Sequence, residues 1–88
     1  MTTQDFEELR PEIKVIIGQI TKELNKAMVK HGHWPQDDVI HASAIVCEES
    51  GELIRAALQF EYEGGSYDDL RKEAIQTGAM AIRFLLNE

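Results

Sequence analysis

The chain has 88 residues, 43% of them apolar, and a formal net charge of −7. A chain this short forms one domain, residues 1–88, and buries only about 60–65% of its unfolded surface, so a lone copy is marginal. The acidity argues against binding to nucleic acid polymers or acidic membranes. The single Cys47 excludes an intrachain disulfide, and no apolar run approaches the length of a membrane span.

Strand-like alternation is absent, so the chain reads as all-α. The first helical region runs from about Thr3 to His31. Pro11 either occupies the first turn of its main helix or kinks a longer one. Ile13, Ile16, Ile17, Ile20, Leu24, Ala27 and Met28 supply the apolar face, and Gly32 is placed to stop the helix.

After the break His31-Gly32-His33-Trp34-Pro35, a second helix is expected from about Asp37 to Tyr62. Its apolar residues cover most of the helical wheel, which predicts a central, buried helix with Cys47 as a buried thiol. The turn Glu63-Gly64-Gly65-Ser66 leads into a third helix, from Ser66 to about Leu86. Ser66-Tyr67-Asp68-Asp69 is a capping-box-like start. The apolar arc of this helix is wider than one neighbour covers, so the surplus is expected against another subunit. The expected architecture is three main helices completed by oligomerisation, as a homodimer or homotetramer. With no N-terminal leader and no span, the expected location is cytoplasmic.

Chemistry concentrates in two short rows. Glu48-Glu49-Ser50-Gly51-Glu52 lies on the second helix, in the arc the apolar residues leave free, with His41 and Gln59 beside it. Glu73 and Gln76 lie on the third. Residues three or four apart share a helix face, and like charges there cost about 0.2–0.5 kcal/mol per pair. On a mostly apolar helix these carboxylates are costly unless protonated or neutralised by a cation. Oxygen-only ligand sets suit hard divalent ions, Mg²⁺, Mn²⁺ or Ca²⁺. Glu49 and Glu52 chelate from one helix in this reading, and Glu73 and Gln76 complete the sphere from a facing one. The plainer reading is a solvated acidic face.

Residues 34–88 resemble the MazG-like, all-α nucleotide pyrophosphohydrolases, whose pattern is EExxE on one helix and ExxD on a later one. Here the first motif is Glu48-Glu49-Ser50-Gly51-Glu52 and the second is Glu73-Ala74-Ile75-Gln76, with glutamine in place of aspartate. The run from Glu73 to Leu85 is similar to small phage and bacterial members that carry this variant. The resemblance implies a MazG-like bundle and a Mg²⁺-dependent hydrolase, with Mn²⁺ as a substitute ion. It would cleave a nucleoside triphosphate between the α and β phosphates to a monophosphate and pyrophosphate. It implies metal ligation by Glu49, Glu52 and Glu73, with Gln76 at the aspartate position. Glu48 is then a further ligand or the catalytic base.

Other residues carry two readings each. Lys72 contacts phosphates or pairs with Asp68, and Arg55 contacts phosphates or pairs with Glu52. Trp34 stacks on a nucleobase or packs over a helix end. His41 hydrogen-bonds a ligand or the substrate, or is structural. His31 and His33, without cysteine partners, make a weak metal motif. Gly51 and Gly78, each two residues past an expected ligand, are expected to admit a close helix near the site. Two further classes stay open: a catalytically weak nucleotide-binding or regulatory module, and an acidic helical module that binds a basic protein partner.

Overall fold

A computed structural model describes residues 1–88 as four helices, with no strand. They are α1 (Thr3–Glu7), α2 (Pro11–Lys30), α3 (Val39–Tyr62) and α4 (Tyr67–Leu86). Pro11 takes the first turn of α2, where its missing N–H costs nothing. The chain before it closes as the separate short α1, whose Thr2 and Asp5 form a reciprocal capping box. Asp38 caps α3 by accepting from the His41 N–H at 3.0 Å. Ser66 caps α4 by accepting from the Asp69 N–H at 3.0 Å.

Local chemistry also sets the α3–α4 turn. Gly64 has φ +73, the left-handed region, and a Cβ on Gly65 would lie 2.9 Å from the Gln59 carbonyl carbon. The Gly65 N–H donates to the Gln59 carbonyl at 2.8 Å. This pair of glycines lets the chain double back, so that α4 returns along α3.

The central helix is α4, not α3. It packs on both α2 and α3, and its Ala79 is fully buried. Gly78 explains the closeness on the α2 side, because a Cβ there would sit 3.2 Å from Ile20 Cδ1. Gly51 behaves differently: a Cβ would meet nothing within 4 Å, so no helix of the chain approaches it. Cys47 is exposed rather than buried, and α3 buries only Ala42 and Ala56. The wheel of α3 is apolar nearly all round, yet one neighbouring helix covers only one side of it.

Arg83 is the one buried charge, 3% exposed. It donates to the carbonyls of Ala27, His31 and Glu88, and its guanidinium lies 5.2 Å from the Trp34 ring centre. A cation at the carbonyl end of α2 complements that helix's dipole and ties α2, the following loop and α4 together.

The single chain is open for its length. Its radius of gyration is 14.6 Å, against about 12 Å for a compact chain of this size. Its accessible surface is 6561 Å², about 1,300 Å² above that of a typical monomer of its mass. No helix is long and apolar enough to cross a membrane.

Candidate functional site

Doubling back at the glycine turn brings the two glutamate rows together. Glu49 and Glu52 on α3 and Glu73 on α4 place carboxylate oxygens within 4.8 Å of one another. Glu49 and Glu73 are half-buried and Glu52 is exposed. One oxygen each of Glu49 and Glu73 is closed off from solvent and has no hydrogen-bond partner. Neither of the chain's ion pairs, Arg10 with Glu12 and Lys26 with Glu23, includes a member of the triad.

Electrostatics follow from this crowding. Burial pushes the Glu49 carboxyl above its ordinary value, and the charges of Glu52, Glu73 and Glu48 push it further. Glu73 is raised by burial first and then by Glu52, against a lowering from Lys72. The cluster therefore keeps protons at a pH where separate glutamates have lost theirs.

Two clefts flank the cluster. On the α2 side, a cleft of about 270 Å³ is lined by Glu49 and Gln76, with Glu23, Lys26, Lys30 and His31 along its α2 wall. On the other side, a cleft of about 380 Å³ between α3 and α4 is lined by Glu52, Arg55, Gln59, Asp69, Lys72 and Glu73. Gln76 thus faces the cluster from the α2 side, and Lys72 borders it from the opposite one.

The remaining expected site residues lie outside the triad. Glu48 is exposed, close enough for its charge to act on Glu49 but outside the group of three. His41 is exposed at the start of α3, two turns from Glu48, and no ring nitrogen of it joins the cluster. Trp34 is 4% exposed beneath Arg83, so its ring packs over the end of α2 and offers no open face to a base.

Two features were not legible in the sequence. The cationic α2 wall, Lys26 and Lys30, shares the apolar helix's spacing but gives no motif. Thr77 is the second. Its hydroxyl donates to the Glu73 carbonyl at 2.8 Å and lies 3.3 Å from the Glu49 carbonyl, bridging the backbones that carry two of the three carboxylates. Its position four residues after Glu73 was the only signal available.

Comparison with known proteins gives no match: no family model, curated protein or solved structure corresponds to this chain.

Proposed function

We propose that the chain is a divalent-metal-dependent nucleoside triphosphate pyrophosphohydrolase of the MazG-like kind. The observation that carries this reading is the triad Glu49, Glu52 and Glu73, within 4.8 Å, with two buried oxygens that no group of the chain satisfies. Such a cluster costs free energy unless a cation or protons neutralise it, and all-oxygen donors suit Mg²⁺ or Mn²⁺. The order and spacing of the EExxE and ExxQ motifs support the same reading.

In this proposal Glu49, Glu52 and Glu73 hold the metal, and the Gln76 amide oxygen adds a neutral donor. A bound divalent ion would supply charge neutralisation for the triphosphate and would activate the attacking water. Glu48, free of the triad, accepts the proton of the attacking water. Water adds to the α-phosphorus, the bond to the α–β bridging oxygen breaks, and pyrophosphate leaves. Lys26 and Lys30 on one side and Lys72 on the other supply charge-assisted donors for the phosphate chain. The large open surface supports a homo-oligomer, and the cytoplasm supplies both nucleotide and Mg²⁺.

A panel of nucleoside triphosphates, with and without Mg²⁺ and followed by phosphorus NMR, tests the reading. Pyrophosphate and monophosphate should form only with the metal, and Glu52→Gln should lower turnover by about 100-fold or more. Orthophosphate as sole product would contradict the cleavage position. Gln76 favours a second reading, because one negative charge fewer than the ExxD pattern weakens the site. A nucleotide-binding module would show metal-dependent stabilisation by nucleotide without turnover. An acidic module for a basic protein partner would show neither.

A further inference from the structure

Arg83 is buried without a carboxylate partner, since neither ion pair of the chain includes it. A buried guanidinium carries a desolvation cost that an apolar side chain does not, so packing against Trp34 does not call for it. Its hydrogen-bond partners are carbonyl oxygens. Nη1 donates to Ala27 at 3.3 Å, Nη2 to His31, and Nε to Glu88 at 3.4 Å. Ala27 and His31 belong to the end of α2, where the chain leaves the helix at His31 with φ −125 and ψ 66.

That end of α2 is also a wall of the candidate site. Lys26, Lys30 and His31 line the α2 side of the cleft of about 270 Å³, and Gln76, Ala79 and Met80 line its α4 side. On α4, Gln76, Ala79 and Arg83 follow one another at steps of three and four residues and so share one face. The site residue, the floor of the cleft and the clamp are one row. α2 rests on α4 at Ile20, against Gly78, and again at its end, against Arg83. The other hydrogen bond between these helices, Arg71 to Gln19 at 2.8 Å, lies more than two turns back along α2. Helix ends fray when nothing holds them. Lys30 and His31 are exposed, and it is Arg83 that ties their turn to α4.

We infer that Arg83 is a positioning residue for the cationic wall of the site. By holding the Ala27 and His31 carbonyls, it fixes Lys30 and His31 at the cleft opposite Glu49 and Gln76. It thereby sets the affinity for a phosphate chain and leaves the carboxylate triad unaffected, because α2 supplies none of the three carboxylates. The planar guanidinium suits this task, since its fixed fork reaches several carbonyls at once and an ammonium does not. The inference rests on the proposed function in one respect, that this cleft receives phosphates. Cleavage is not required for it.

Calorimetric titration of inorganic triphosphate into the Mn²⁺-loaded chain, with Mn²⁺ affinity measured beside it, tests the inference. Arg83→Met keeps a long side chain and removes the donors. It should weaken triphosphate binding by about tenfold, the worth of one charged hydrogen bond, and keep Mn²⁺ affinity within about twofold. Arg83→Lys should recover part of the loss. Lys30→Met should weaken binding by itself, and combined with Arg83→Met it should lose at least about threefold less than the two single losses multiplied together. A lysine already removed cannot be misplaced, whereas an effect of Arg83 on folding alone would multiply. If circular dichroism shows Arg83→Met unfolded, the same cycle is run with Arg83→Lys. The inference is overturned by multiplied losses, by Mn²⁺ affinity that falls together with triphosphate affinity, by undiminished binding in the folded Arg83→Met chain, or by a wild-type chain that binds no triphosphate. Turnover is read separately by phosphorus NMR, so the expected binding pattern in a chain that cleaves no nucleotide would support the clamp and reject the hydrolase.

Discussion

Ala42 and Ala44 stand two residues apart on α3, yet one is 2% exposed and the other faces solvent. The first belongs to the side of the helix that meets the rest of the fold. The second belongs to the side that faces away from it. The difference teaches that an all-round apolar wheel is not evidence of burial by one's own chain. Three main helices give α3 a single full neighbour, α4, and the other side stays exposed. The chemistry follows the same division, since the triad forms on the α4 side.

The inner side should be where changes cost stability. Ala42→Leu should destabilise the protein by about 1–3 kcal/mol through overpacking, whereas Ala44→Leu should shift stability by no more than about 0.5 kcal/mol. Urea denaturation of both variants checks this. Equal losses would erase the distinction between the two sides.

Next in size is Thr77→Val, which keeps shape and removes the hydroxyl linking the Glu49 and Glu73 carbonyls. Mn²⁺ affinity measured by calorimetry should fall by about tenfold, as for other groups that orient ligands, and Thr77→Ser should retain it. Unchanged affinity in the valine variant would show that packing alone sets the register of the rows.

The smallest effect is on pH dependence. Glu49 and Glu73 are both raised above the ordinary 4.5 in the folded protein, so the native state holds more protons than the unfolded chain. Stability of the metal-free protein should therefore fall as pH rises from about 4.5 through the raised values. Asp5 is lowered from 3.8 and acts only below that window. Thermal denaturation without metal should give a higher Tm near pH 5 than near pH 8, and saturating Mn²⁺ should reverse the slope. A metal-free Tm that climbs over this range would mean that the triad is not crowded in solution.

Much of the fold was legible because it is local. The Ser66 cap and the glycine turn at 64–65 each act within a few residues, and the structure places both where the sequence puts them; of the two readings of Pro11, it takes the helix start. α3 starts at Val39 with Asp38 as its cap, two residues after the expected start at about Asp37. The rank of the helices was not legible. Burial of α3 was expected from its composition, but the Gly78–Ile20 contact lets α2 settle on α4, which makes α4 the middle helix. Trp34 was legible as a residue of two uses, and its partner Arg83, some fifty positions away, assigns it to packing.

The sequence by itself determined the helices, their caps and the fact that Glu49 and Glu52 share a face, because a 3.6-residue turn fixes neighbours three apart. Only the tertiary structure decided that Glu73 joins them within 4.8 Å, that Glu48 and His41 stand outside, and that Lys26 and Lys30 wall one flank. Those placements depend on the register at which α4 returns along α3 and receives α2. Register is set by the summed packing of side chains distant in sequence, such as Thr77 against the Glu49 carbonyl, and no local spacing encodes it.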